Sequence, residues 1–417
     1  MKLLAYKKIL ITACVLTTTL ATAQDEGFIY GKIFTEDGKN YEGPIRWGKE
    51  EIYWTDIFNA SKERNENLRF LSDREQDLLD EKNSEWFTVD NRWTSWVSTK
   101  NWTRENDYVH QFACQFGDIK AIVPMGRKYV ELELRNGKKI ELSGEGYNDV
   151  GLDLRITDAD LGQVDVDWSR IEKIEFSETP SKLDTKFGQP LYGTVEAFGD
   201  KFTGYIQWDK DERVTTDKLD GDSDDGNLSI EFSKIRSIER KGHQSQVTLK
   251  SGRSLYMDGS NDVSSGNRGI IVMNKEFPAV IIPWSEFDKV TFDDKNPGPI
   301  ASFKDFGSQK ELNGKVTTRD GKSFSGKLIY DLDESFDYEL LQGKQGEFEF
   351  ATPFRSVKRI SLTSSHRATV ELLSGKKIVL DDAQDVAENN QGVLIFSKDD
   401  ANPKYVPWDN VAEIEFR

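Results

Sequence analysis

Along most of the chain apolar residues alternate with polar ones in short runs, broken by turns rich in glycine, asparagine and aspartate. Leu132-x-Leu134 precedes Asn136-Gly137-Lys138, Val247-x-Leu249 precedes Ser251-Gly252-Arg253, and Val370-x-Leu372 precedes Ser374-Gly375-Lys376. A period of two puts the apolar set on one face of a strand, and an Asn-Gly or Ser-Gly turn supplies the positive φ of a tight hairpin. Each hairpin is followed by a polar signature: Asn148-Asp149-Val150, Asn261-Asp262-Val263 or Gln384-Asp385-Val386. Two more runs lead to closing strands written Trp168-x-x-Ile171-x-x-Ile174-x-Phe176, Trp284-x-x-Phe287-x-x-Val290-x-Phe292 and Trp408-x-x-Val411-x-x-Ile414-x-Phe416. The pattern predicts about five strands in roughly fifty residues, a unit that recurs.

A second form alternates with this one. Gly31-x-Ile33 and Tyr41-x-Gly43-x-Ile45-x-Trp47 match Gly193-x-Val195 and Phe202-x-Gly204-x-Ile206-x-Trp208. The third copy is Gly314-x-Val316 and Phe324-x-Gly326-x-Leu328-x-Tyr330. Calling this form A and the first B, the chain reads A-B-A-B-A-B. The predicted fold is all-β: six tandem small five-stranded barrels, with one mixed helical and irregular insertion. The units are residues 24–126 (A1, insertion at about 60–111), 127–180 (B1), 187–241 (A2), 242–294 (B2), 308–363 (A3) and 364–417 (B3). Trp47, Trp208 and Tyr330, like Trp168, Trp284 and Trp408, are expected in the cores.

Composition supports several small cores. The chain is 36% hydrophobic and 31% charged, and units of about fifty residues are marginal alone, so neighbours should pack together. Residues 1–23 read as a secretory signal peptide, with Lys2, Lys7 and Lys8, an apolar Ile9–Leu20 run, and Ala21-Thr22-Ala23 before Gln24. Ile11-Thr12-Ala13-Cys14 resembles a lipoprotein box, but its preceding apolar run is too short to make lipidation at Cys14 the expectation. No other run is long and apolar enough for a transmembrane helix. Without the leader, Lys+Arg falls from 56 to 53 against 73 Asp+Glu, a net charge near −20. That charge disfavours nucleic acid and anionic membranes, and periplasmic or secreted localisation is expected. Cys114 is then the only cysteine and is expected to be a small buried hydrophobe.

Three features invite a functional reading. The insertion in A1 opens with a capping box, Ser72 and Glu75, and a short helix through Leu78 and Leu79. It then carries Trp93, Trp96 and Trp102, which either cap the array or form a ligand surface for a protein or glycan. Asp220-x-Asp222-x-Asp224 with Glu231 has the spacing of a calcium loop, but Asp225 stands where the turn glycine belongs, so a solvated hairpin loop is the default reading and a calcium site the alternative. Finally, Glu50, Glu51 and Asp56 align with Asp211, Glu212, Asp217 and with Asp333, Glu334, Glu339. This recurring set reads as turn chemistry or as cation ligands. Asp149, Asp262 and Asp385 are expected to bond backbone N–H groups inside their own loops.

Catalysis finds no support in the motifs. His243 and His366 share a place held by Lys128 in the first copy and read as structural. His110 has no carboxylate or cysteine at a recognisable catalytic spacing, and Gly321-Lys322-Ser323 lacks the earlier glycine of a phosphate loop. The B units resemble the Sm-like and SH3-like small barrels in strand order and turn positions, and the whole chain resembles exported bacterial proteins of uncharacterised function. In the Sm family such barrels form RNA-binding rings, but the basic residues this needs have no counterpart here. The expectation is a non-enzymatic interaction or structural protein of the envelope, with a protein or glycan partner and no cofactor. The alternative is calcium-dependent or glycan binding through the acidic loops or the Trp-rich insertion.

Overall fold

The computed structural model describes residues 24–62, 66–86, 110–145, 147, 149–276, 279–294, 297–381, 384–388, 390–398 and 402–417. Among them the protein is all-β, with thirty strands, one α-helix and short 3₁₀ turns. No helix of these residues is long and apolar enough to cross a membrane. Residues 1–23, Cys14 among them, and Trp93, Trp96 and Trp102 lie outside the described residues.

A1 contributes β1 (Tyr30–Thr35), β2 (Asn40–Trp47), β3 (Ile57–Lys62), β4 (His110–Gln115) and β5 (Ile119–Pro124). B1 contributes β6 (Tyr129–Leu134), β7 (Lys139–Ser143), β8 (Leu154–Asp158), β9 (Gly162–Val166) and β10 (Ile171–Phe176). They form one open sheet in the order β4-β3-β7-β6-β5-β10-β1-β2-β8-β9. Read inward from either edge, the strands are the fourth and third of one unit, the second and first of the other, then the fifth of the starting unit. A and B thus exchange their opening hairpins. Gly31 pairs with Phe176 and Ile45 with Ile156, both across the unit boundary, and Ile122 meets Ile174 at the centre.

The other two pairs repeat the exchange. Gly193 pairs with Phe292, Ile206 with Val272 and Ile238 with Val290. Gly314 pairs with Phe416, Leu328 with Ile395 and Ile360 with Ile414. The expected boundaries between contiguous units are therefore not boundaries of strand pairing. The repeated glycines are where the partner strand comes closest. A Cβ on Gly31, Gly193 or Gly314 would overlap the carbonyl oxygen of Glu175, Thr291 or Glu415. One on Gly43, Gly204 or Gly326 would overlap that of Thr157, Met273 or Phe396. Glycine inside a strand commonly marks such an approach.

Each exchange buries the two signature aromatics against each other. Trp47 and Trp168, Trp208 and Trp284, and Tyr330 and Trp408 meet edge-on with centroids 5.9, 5.9 and 5.8 Å apart. All six are buried, as their spacing predicts. Edge-on packing of this kind adds about 0.5–1.5 kcal/mol beyond burial.

The pairs then join in two different ways. The second and third share one continuous apolar core and a strand ladder in which Ala279 faces Ala351 and Val280 faces Phe350. The first pair has a second core, which also takes in Phe303 and Phe306 from the segment before A3 and Tyr338 of A3. It meets the others at an apolar junction that includes Ile57, Ala113, Met273, Ile281 and Leu340. Around that junction lie ion pairs described below.

The insertion occupies the β3–β4 turn, since Lys62 pairs with His110. The second copy turns there over Asp224-Asp225 and the third over Gly346-Glu347. Glu75 reaches back to the Ser72 N–H and O–H at 2.8 and 2.7 Å, and the helix it opens runs Asp73–Trp86, longer than expected. Leu71 and Leu79 pack on Ile329, Leu332 and Leu394 of the third pair, and Phe70 meets Phe396 edge-on. The described part of the insertion therefore ties the first pair to the third.

Candidate functional site

The residues that recur in every copy converge where A hands its hairpin to B. After β2 and its equivalents the chain turns sharply, with Gly48, Asp209 and Asp331 in the left-handed region at φ 56°, 48° and 48°. That conformation is uncommon for a non-glycine side chain. In the second and third copies the aspartate binds B in return. Asp209 Oδ1 accepts the Arg268 N–H at 2.5 Å, and Asp331 Oδ1 accepts that of Gln391.

A few residues on, one acid clamps the loop. Asp56 Oδ2 accepts the N–H groups of Ile52 and Tyr53, both at 2.8 Å. Asp217 Oδ2 does the same for Arg213 and Val214 at 2.7 and 3.0 Å. Glu339 Oε2 takes Ser335 and Phe336 at 2.5 and 2.8 Å. The second oxygen of each acid faces another pair. Asp56 Oδ1 accepts from Arg213, Asp217 Oδ1 meets Arg46 Nη1 at 2.6 Å, and Glu339 Oε1 meets Lys62 Nζ at 3.0 Å. The recurrence is thus turn chemistry joined to an inter-pair staple. Burial pushes the Asp56 carboxyl up, against the pull of Arg213. Arg355 adds a bidentate link to Asp118 at 2.6 and 2.7 Å.

The aspartate of the B signature works across the exchange. Asp149 Oδ2 accepts the Asn59 N–H at 2.6 Å, Asp262 Oδ2 that of Asp220 at 2.7 Å, and Asp385 Oδ2 that of Gln342 at 2.6 Å. The expectation of a bond within the aspartate's own loop is corrected: the donor is a strand of the A unit. The backbone carbonyl of the same aspartate accepts the A aromatic. Trp47 and Trp208 Nε1 donate to Asp149 O and Asp262 O at 2.8 and 2.9 Å, and the Tyr330 hydroxyl donates to Asp385 O. Burial raises these carboxyls to about 8 for Asp149, about 6 for Asp262 and about 7 for Asp385.

The calcium-like string has a different shape from a calcium loop. Asp220 and Asp222 lie on the exposed face of one strand, Lys218–Ser223, paired with Gly226–Glu231. Glu231 faces Lys218 at the far end of the ladder from Asp224, and Asp225 pairs with Arg253 at 2.5 Å. An extended hairpin spreads the carboxylates along its length, whereas a calcium loop curls them around a point. Among the described residues no group of three or more His, Cys, Asp or Glu could hold a metal.

Cys114 is fully buried in the first core, and burial pushes its thiol well up, which leaves it an inert packing residue. At the joint of the first two pairs a cavity lined by Tyr53, Thr55, Tyr205, Arg213 and Met273 measures about 20 Å³, room for a single water. The Glu51, Glu212 and Glu334 carboxyls at the exchange were visible in the repeat as part of the acidic set. The charge that the B aspartate sets against each of them was not, because that aspartate lies about one unit further along the chain. Comparison with protein-family models, curated proteins and solved structures finds no match for this chain.

Proposed function

We propose that the protein is an exported, non-enzymatic scaffold of the bacterial envelope that acts by binding another envelope component, protein or glycan. The observation that carries this reading is the use made of the recurring polar residues. Asp56, Asp217 and Glu339 clamp loops and staple pairs, while Asp149, Asp262 and Asp385 hold A to B. Repetition here serves assembly of a large, rigid body. The leader-like start and the acidic composition support export. In the finer reading, each half of an exchanged sheet curls into a small Sm-like or SH3-like barrel. The six barrels are then each built from two units.

Fractionation of cells producing the full chain, with N-terminal sequencing of the product, tests this reading. A processed form beginning at Gln24 outside the cytoplasm is expected, and an unprocessed cytoplasmic chain contradicts it. Capture of envelope extracts on the purified chain, alongside a glycan array, then separates the two partner classes.

A further inference from the structure

Glu51, Glu212 and Glu334 stand at one structural position, each bonded through its backbone to the signature aromatic. Their carbonyls accept the N–H of Trp47, Trp208 and Tyr330 at 2.8, 2.9 and 2.7 Å. In all three copies the side-chain Oε2 is buried and has no hydrogen-bond partner. Glu51 is only 7% exposed. A buried polar atom left unpaired costs about 1–3 kcal/mol, so the same omission three times calls for a cause.

The cause lies across the exchange. Apart from burial, the strongest influence on each glutamate is the B aspartate: Asp149 on Glu51, Asp262 on Glu212, Asp385 on Glu334. Each aspartate is held in place by the strand N–H and the aromatic described above. Two carboxyls facing each other in a dry site cannot both ionise. The surroundings deepen the conflict. Glu50 and Asp56 also act on Glu51, where the opposing cation Arg213 is engaged by Asp56. Asp209, Asp211 and Asp217 act on Glu212, while Arg268 is engaged by Asp209 and Asp211 and Arg46 by Asp217. Asp331, Asp333 and Glu339 act on Glu334, and nearby Lys62 is engaged by Asp333 and Glu339.

We propose that each A–B pair is a proton-binding site, in which the glutamate Oε2 keeps its proton and shares it with the facing aspartate, locking the exchanged hairpins. The proton is taken up on folding and released when the pair opens. Burial, then the aspartate, raises Glu212 to about 9 and lifts Glu51 and Glu334 well above the ordinary range. Groups raised in this way give stability that is full below the unfolded carboxyl range, near pH 4, and lost as pH rises through the folded values. For the second pair that loss runs up to about pH 9.

The test uses the full chain and its E51Q/E212Q/E334Q variant, in which each Glu Oε2 becomes a permanent uncharged donor. Infrared spectra at pH 7 should show protonated carboxyl absorption in the unaltered protein that the triple variant lacks. The thermal midpoint of the unaltered protein should fall between pH 7 and pH 10, and that of the variant should fall less. Should the triple variant not fold, single E212Q is read the same way and should lose part of the band. Absence of protonated carboxyls at pH 7, or parallel midpoint profiles, overturns the proposal. So does a missing band with stability that falls on dialysis against chelator, since a cation would then occupy the place of the proton.

Discussion

The joint between the second and third pairs and the edge of the first pair are built from the same strand, used differently. Ala279 and Ile281 stand five and three residues before Trp284, and Gln163 and Asp165 hold those places before Trp168. The apolar version is buried and continues the ladder onto Phe348–Pro353. The polar version is exposed, and β9 ends its sheet. A charge on an edge strand discourages pairing with another edge. Two side-chain positions thus distinguish the repeat that fuses to its neighbour from the one that stops. The first pair, deprived of a ladder, docks through the apolar junction around Ile57 and Ala113 together with ion pairs: Arg46 with Asp217, Arg213 with Asp56, Lys62 with Glu339 and Arg355 with Asp118.

The polar joint should break most sharply when one partner is removed. Asp56→Ala leaves the fully buried Arg213 without its counter-ion and should cost about 3–5 kcal/mol, measured by denaturant unfolding. At the apolar joint, Ile281→Ala should cost about 2–3 kcal/mol by the same measurement. An equal loss for Arg155→Ala, which removes only the exposed Arg155–Asp165 pair, would show that joints are irrelevant to stability.

The exchange itself can be probed at its glycines. Gly204→Ala forces a methyl onto the Met273 carbonyl and should cost about 1–3 kcal/mol, as overpacking does. A Cβ on Gly38, in an open turn at φ 78°, meets nothing within 4 Å, so Gly38→Ala should cost about 1 kcal/mol through its backbone alone. The smallest effect on stability sharpens the comparison best. Asp165→Ile should change the unfolding free energy by at most about 0.5 kcal/mol. It should also give the first pair an adhesive edge, seen as concentration-dependent dimers in analytical ultracentrifugation.

Much of this was legible in the sequence. Period-two alternation and the Ser-Gly turns marked the strands, and fixed spacing placed Trp47, Trp208, Tyr330 and their B partners in the cores. Which strands pair was not legible, because alternation reports a buried face and says nothing of whose strand lies alongside. The signal was nonetheless present. Gly31 and Gly43, Gly193 and Gly204, and Gly314 and Gly326 sit inside strands where only the close approach of another backbone explains them. The aspartate bonds were misplaced for the same reason, since Asp149 reaches Asn59 across the exchange. The Asp220–Glu231 segment is the hairpin its default reading expected, and its spacing alone does not separate an extended hairpin from a curled loop.

Strand exchange is the central claim, and paired cysteines in the full chain test it most directly. Thr194 lies opposite Thr291, and Ser237 lies on the other side of Thr291. Exchange therefore puts Thr194 and Ser237 two strands apart, about 9.5 Å, beyond the reach of a disulfide. Oxidation of the Thr194→Cys/Thr291→Cys protein should form an intramolecular bond, and oxidation of Thr194→Cys/Ser237→Cys should not. The reverse result would mean that each unit closes on its own strands, and the account would be wrong.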